Sequence, residues 1–482
     1  MKALKTATKG LVLGASIFAL AGVANAATAV DFNLYGASAQ FNFFTNAAPA
    51  FLTGQLGCTS ANATPLLAAG DANSALTIGT NCSSVGGANI NFRYSSKASF
   101  DGIEAVQGVQ DPNAVTICSN KSQRPMATLS SDGVTMLPTT STASCQTVTI
   151  GTSDVQASSF LQQSHGLLLG PLGGVQTDLT FNGVPATGLT VDAPIAYPFA
   201  FYVNPGVTST RCLPTSPTAA AVDSFCFDDS TCGGTAGNHT YCTAQTIDNI
   251  SRLQAVLLFS GQILYWSDFG TANGATGGYY TTKPVTLCLR HAGSGTLATL
   301  DLGIIRGNGW GSGLVQFESD AGGGPSALPY TYFNNATGDM KNCLIWAAGN
   351  TNGVTPMATL DPTAVSGAIG FMDADNPNTT SYTQIKYNGF AANRVNMRDG
   401  MYDDFYAINH MYRNTGDLNS SQTAIYNTLL SYISNPANIN TSTVGAGKSL
   451  TYGAASELRV SKAPGGDTSY PQVVTPLDPV TP

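Results

Sequence analysis

The chain has 482 residues, of which 43% are hydrophobic and only 10% charged, and its formal net charge is -8. That length exceeds what one hydrophobic core usually holds, so two lobes or domains are expected. The acidic balance argues against nucleic acid or an acidic membrane face as partner, and the sparse charge leaves Gly, Ser, Thr, Asn and Ala to make a polar surface.

Residues 1–26 read as a signal peptide rather than part of the fold. Lys2, Lys5 and Lys9 form a basic start, Leu11 to Val23 an apolar stretch, and Ala24-Asn25-Ala26 a small-x-small cleavage site. No cysteine follows that site, so a lipid anchor is not expected, and no later stretch reaches the roughly 18 uninterrupted apolar residues of a membrane span. The mature chain is expected to be soluble and exported, in the periplasm or outside a bacterial cell. Ten cysteines in an exported chain point to disulfides. The spacing pairs Cys58 with Cys82, Cys118 with Cys145, and Cys288 with Cys343, and leaves three pairings open among Cys212, Cys226, Cys232 and Cys242. Zinc is the competing reading of that last group, but it lacks paired C-x-x-C spacing, and no metal or other cofactor is expected.

In chain order, Ala29 to Tyr35 reads as a strand that ends in the small-residue turn Gly36-Ala37-Ser38-Ala39-Gln40. Phe41 to Leu52 follows as a helix with Phe41, Phe44 and Ala48 on one stripe. Cys58 to Cys82 is a polar loop or hairpin, Ile90 to Tyr94 alternates as a strand, Ser95 to Ser99 is a second small-residue turn, and Phe100 to Val106 is helical. Gln110 to Gln146 reads as an insertion. Thr147 to Ile150 is a strand ending at Gly151-Thr152-Ser153-Asp154.

Ala193 to Asn204 is nearly continuous in apolar residues, as expected of a strand buried on both faces and crossing between lobes. Thr208 to Gln245 is a second insertion, and Ile250 to Ser260 is a helix with Leu253, Val256, Leu257 and Phe259 in register. The strand beginning at Val285 breaks at Arg290-His291-Ala292-Gly293-Ser294-Gly295-Thr296, and Leu297 to Leu302 can open a helix. Ser294, Gly295 and Thr296 would then lie at a helix start, where unpaired backbone N–H groups attract anions. Arg290 adds a planar, permanently charged fork suited to oxyanions. Ala364 to Met372 is another buried strand and, near Gly370 to Asp373, a second crossing; Met401 to Tyr412 and Thr423 to Ile433 read as helices. The end of the chain, dotted with Pro464, Pro471, Pro476, Pro479 and Pro482, reads as a loose tail. Strands alternating with helices give an α/β class with mostly parallel sheets, in which ligands sit at the carboxyl ends of strands. The four small-residue turns all lie at such ends.

Six of these segments, in this order, resemble the periplasmic phosphate-binding proteins of ABC transporters, of the PstS type. Gly36-Ala37-Ser38-Ala39-Gln40-Phe41 is similar to that family's G-A-G-A-T-F loop, Ser95 to Ile103 to its serine and glycine turn, and Gly151-Thr152-Ser153-Asp154 to its G-A-S-D segment. Ile263 to Asp268 resembles I-x-x-W-x-D, Arg290 to Thr296 resembles R-x-D-G-S-G-T, and Gly367 to Phe371 resembles G-x-I-G-Y.

The resemblance implies a two-lobed, Venus-flytrap architecture with a mostly parallel mixed sheet in each lobe and disulfide-bracketed insertions. Lobe 1 would comprise 27–192 plus 373–462, lobe 2 would comprise 193–372, and 463–482 would be the tail. It implies oxyanion contacts from Arg290, Ser294, Gly295 and Thr296 on one lobe. Asp154, Ser99 (with Ser96 as runner-up), and Phe41 through its backbone beside Gln40 would face them from the other. In that family the carboxylate accepts a proton from the ligand, which favours hydrogenphosphate over sulfate. The implied function is capture of phosphate or a similar tetrahedral oxyanion by a monomer, without chemistry of its own, for the membrane subunits of an ABC transporter. Gln40 stands where the family has threonine, and Ala292 where it often has aspartate. Two other classes stay open: a secreted hydrolase using Ser294 as nucleophile and His291 as base, though no G-x-S-x-G elbow is present, and an extracellular structural or adhesion protein, favoured by the low charge and many cysteines.

Overall fold

The computed structural model describes residues 29–64, 66–69, 72–110, 117–129, 143–164, 168–169, 179–213, 241–269, 280–305, 328–347, 367–402, 404–414, 416–441, 451–461 and 472–473. The expected signal peptide, Cys226 and Cys232, the middle of both insertions and all but two residues of the expected tail lie outside this set.

The chain begins with β1 (Val30–Gly36) and α1 (Phe41–Gly54), then the hairpin β2 (Ala72–Cys82) and β3 (Ala88–Ser96), followed by α2 (Ser99–Gln107) and β4 (Ile150–Ser153). After β5 (Leu189–Asp192) and β6 (Ile195–Val203) come α3 (Arg252–Phe259), β7 (Val285–Arg290) and α4 (Gly295–Thr299), which continues as a π-helix over Leu300–Ile305. The remainder is β8 (Tyr330–Asn334), α5 (Thr337–Ala347), β9 (Gly367–Asp373), β10 (Thr383–Tyr387), β11 (Tyr406–Ile408), β12 (His410–Asn414) and α6 (Ser420–Ile433).

Two mixed sheets carry these elements. In the eight-stranded sheet the order is β5-β12-β4-β1-β3-β2, extended by the short strand Ser60–Ala63, and β1 runs parallel to both β3 and β4. In the nine-stranded sheet the order is β8-β7-β9-β6-β10, and β7 runs parallel to both β8 and β9. Each sheet therefore has a parallel trio whose first strand is central, bordered by an antiparallel strand, β12 on β4 and β6 on β9. Six parallel carboxyl ends, the places where α/β sheets bind ligands, result from this repeated order. Every residue of β6, β7 and β9 is buried, which accounts for their continuous apolar runs.

Several sequence expectations need correction. Met401 to Tyr412 is not a helix but β11 and β12, because backbone pairing to distant partners outweighs a local apolar stripe. β11 pairs with β6 at Ala196 to Pro198, whereas β12 pairs with β4 at Gly151 to Ser153. The chain thus returns to the first sheet at Asn409, not near Gly370 to Asp373, since β9, β10 and β11 all belong to the second sheet. Asn409 and Ile195 bind each other twice, Asn409 N–H to Ile195 O at 2.9 Å and Ile195 N–H to Asn409 Oδ1 at 3.0 Å, so the two crossings lie side by side. The strand read at Thr147 to Ile150 lies three residues later, with Gly151, Thr152 and Ser153 inside it. β8 and α5 carried no sequence expectation.

Disulfides join Cys58 to Cys82, Cys118 to Cys145, and Cys288 to Cys343. Cys212 and Cys242 are backbone register partners in the antiparallel hairpin of Thr208–Leu213 and Tyr241–Thr246. No described helix is long and apolar enough to cross a membrane.

Candidate functional site

The first sheet supplies its half of the site through a close approach of helix and strand. A Cβ on Gly102 of α2 would lie 2.6 Å from Thr152 O and 2.7 Å from Tyr35 O, and one on Gly151 would lie 2.0 Å from Gly102 O. Only glycine permits that distance. It sets Ser99, the first residue of α2, beside the end of β4, where its hydroxyl donates to Asp154 Oδ2 at 3.1 Å. Ser96 points elsewhere, toward Asn73 O at 3.5 Å. Gln40 Nε2 donates to Ser153 O at 3.0 Å and to the Tyr197 hydroxyl at 2.9 Å, and Tyr197 donates to Asp154 Oδ1 at 2.5 Å. Phe41 contributes differently from expectation, because its backbone N–H donates to Ser38 O within its own turn and its ring packs edge-on to Tyr94.

The second sheet faces these groups. Arg290, at the end of β7, donates from Nη1 to Ser38 Oγ at 3.1 Å and from Nη2 to Asn335 O at 3.0 Å, while its Nε has no partner. Ser294 caps α4 by accepting from Leu297 N–H at 3.4 Å, and Thr296 Oγ1 donates to Asp154 Oδ2 at 3.3 Å. Gly295 packs against Asp154 and Ser99. Ser38 Oγ also meets Thr337 Oγ1 at 3.2 Å, at the start of α5. The structure thus brings Gln40, Ser99, Asp154, Arg290, Gly295 and Thr296 together, with Ser294 one residue behind. Ser38, Tyr197, Thr337 and Asp339 were not singled out from sequence. Ser38 lay in a recognised hydroxyl-bearing turn, and Thr337 follows a strand end as Ser99 does, so both had a local signal; Tyr197, inside an apolar run, had none.

Burial dominates the electrostatics. It pulls Arg290 down to about 10, against the opposing pull of Asp154, Asp339 and Asp373. It pushes Asp154 upward, against the hydrogen bond from Tyr197 and the charge of Arg290. It raises Asp373 well above the carboxylate range, with Asp375 beside it adding to the shift. It raises Asp339 to about 6, although Asp339 Oδ2 accepts from Ala336 N–H at 3.1 Å.

A stability prediction follows from Asp339, whose ordinary pKa is about 4. Between that value and about 6 the folded chain holds a proton that the unfolded chain has released, so this contribution is full below about pH 4 and lost as pH rises through about 6. Asp339→Asn should flatten the fall in stability across that window, by about 2 to 3 kcal/mol at its upper end. Urea melts of both proteins from pH 4 to 7 check this; parallel profiles would remove Asp339 as the cause.

The Ser294 and His291 pair does not have nucleophile and base geometry. Ser294 Oγ accepts the Leu297 N–H, and His291 Nδ1 faces the carbonyl of Ala292. Burial, followed by the neighbouring charge of Arg290, holds His291 at about 3, too low for an effective base at neutral pH.

No family model and no curated protein matches the chain. Solved structures show a distant likeness. With a candidate phosphate ABC transporter substrate-binding protein from Clostridium perfringens, solved with bound phosphate, identity is 11% over 86% of this chain and 97% of that one, with a TM-score of 0.41. An ABC-type phosphate transport receptor from Vibrio cholerae gives 10% identity over 87% and 99%, with a TM-score of 0.37. PstS from Borrelia burgdorferi gives 12% over 50% and 66%, with a TM-score of 0.24. At such values the ligand of this chain has to be argued from its own residues.

Proposed function

We propose that the chain captures a partly protonated tetrahedral oxyanion, phosphate first among them, between two lobes carried by the two sheets, and passes it on without chemistry of its own. The observation that carries this reading is the state of Arg290. It is 2% exposed, its Nε is unpartnered, and among the described residues it forms no ion pair. A buried guanidinium with no carboxylate in ion-pair contact costs several kcal/mol, which the more distant charges of Asp154, Asp339 and Asp373 offset only in part, and an anion arriving between Ser38, Ser99, Thr296 and Arg290 would offset the rest. Asp154 beside it selects the protonation state, because an ionised carboxylate against a fully deprotonated oxyanion leaves two acceptors facing each other. The lobes would close about the crossings at 193–194 and Asn409, a hinge arrangement in which few backbone dihedrals need to change. An exported receptor of this kind would deliver its anion to the membrane subunits of an ABC transporter.

The test is calorimetric titration with phosphate, arsenate and sulfate. Wild-type protein should bind phosphate and arsenate and reject sulfate. Asp154→Asn, whose amide can donate as well as accept, should improve sulfate relative to phosphate by roughly tenfold or more, the scale of one unpaired buried acceptor. Wild-type protein that binds sulfate as well as phosphate, or an unchanged ratio in Asp154→Asn, would leave Asp154 with a structural role only.

A further inference from the structure

We infer that Gln40 and Tyr197 form a one-way hydrogen-bond relay that holds Asp154 as an acceptor, which makes both of them positioning residues for anion specificity. The inference rests on the anion reading above and adds two residues to it. Gln40 and Tyr197 are completely buried, so no water competes for their polar groups. The Gln40 amide lies 3.0 Å from Ser153 O, an atom that can only accept, and this assigns the contacting atom as the NH2 group. Both of its N–H bonds are then committed, one to Ser153 O and the other to the Tyr197 hydroxyl at 2.9 Å. A phenol that already receives one hydrogen bond directs its single proton onward, here to Asp154 Oδ1 at 2.5 Å.

Oδ1 is therefore confined to accepting. Any proton that Asp154 takes up goes to Oδ2, the oxygen reached by Ser99 at 3.1 Å and Thr296 at 3.3 Å, on the side where the two sheets meet. The relay also favours the ionised carboxylate, since hydrogen bonds to the charged form stabilise it, whereas burial favours the neutral acid. The other charged or titratable groups that act on Asp154 are Arg290, which also favours ionisation, and the phenols of Tyr197 and Tyr94, which burial keeps protonated. Without the relay, Asp154 would more readily hold a proton on Oδ2 and donate it to a fully deprotonated anion such as sulfate. Tyr197 lies on β6 just past the crossing from the first sheet, so a group contributed by the crossing strand would set the selectivity of residues on either side of it.

Tyr197→Phe keeps the ring against Phe199 and Tyr452 and removes only the hydroxyl. Titration calorimetry with phosphate and with sulfate, from pH 5.5 to 8 in two buffers of different ionisation enthalpy, reads affinity and proton uptake together. The variant should gain about tenfold for sulfate relative to phosphate, with the pH profile of sulfate binding moved upward and more proton carried by the ligand-free site. Gln40→Leu should shift both in the same direction by less, because the freed phenol can still turn toward Asp154; it carries the same test if Tyr197→Phe does not fold. An unchanged ratio and pH profile in folded variants would overturn the relay while leaving the anion reading standing. So would complete loss of phosphate binding without any gain for sulfate at an unchanged melting temperature, since removing the relay should alter selectivity rather than capture. Wild-type protein that binds neither anion would overturn the anion reading, and this inference with it.

Discussion

Arg290→Ala should abolish useful binding of every oxyanion, weakening it by roughly 2 to 5 kcal/mol, because a charge-assisted and desolvated contact is removed with nothing to replace its charge. Among the described residues the other buried cations are already paired. Lys97 and Arg124 are committed to the buried carboxylate of Asp101, and Arg93 to Asp31. The loss should be uniform across phosphate and arsenate, the two anions the wild type is expected to hold, which separates it from the selectivity change expected at Asp154. Stability should not fall in parallel with affinity. The guanidinium is buried without an ion pair, so its removal relieves a desolvation cost even as it opens space near Ser38 and Asn335. Calorimetry beside thermal melts without anion checks both halves. A variant that still binds phosphate within a few-fold of wild type would take Arg290 out of the site.

Gly295→Ala should have the second largest effect, for a steric reason. A Cβ there would lie 2.6 Å from both Asp154 Cβ and Ser99 Oγ, and 3.0 Å from Asp154 Oδ2. Alanine is the better helix former at an ordinary helical conformation, so α4 itself should tolerate it. What it obstructs is the approach of the second sheet's loop to the first. Overpacking of this kind costs on the order of 1 to 3 kcal/mol, or about fivefold to 150-fold in affinity. Small-angle scattering at saturating phosphate should show the variant less compact than the wild type. Equal compaction and equal affinity would mean that the anion is held without the contact between Gly295 and Asp154.

Much of the site could be read before any tertiary information. Ser99, Asp154, Arg290 and Thr296 stand at turns where a strand gives way to small residues, and those turns are signalled within a few residues by glycine and hydroxyl content. The buried strands β6, β7 and β9 announced themselves by continuous apolar runs, and α1 and α3 by their periodicity. Cys58 with Cys82, Cys118 with Cys145, and Cys288 with Cys343 followed from spacing in an exported chain.

The partners of these residues were decided only by the fold. The relay couples Gln40 to Tyr197 across 157 positions, and the second sheet reaches Ser38 from Arg290 across 252. No local pattern encodes such separations; they follow from two sheets presenting their carboxyl ends to each other. Met401 to Tyr412 shows the same limit from the other direction. Its apolar spacing satisfies a helix, yet Tyr406 to Ile408 completes one sheet and His410 to Asn414 the other. Strand formation draws its stability from partners remote in sequence, whereas a helix closes its hydrogen bonds within four residues. The chain therefore disclosed its helices, its buried runs and the chemistry of its turns, while the pairing that makes one site of those turns belonged to the tertiary structure.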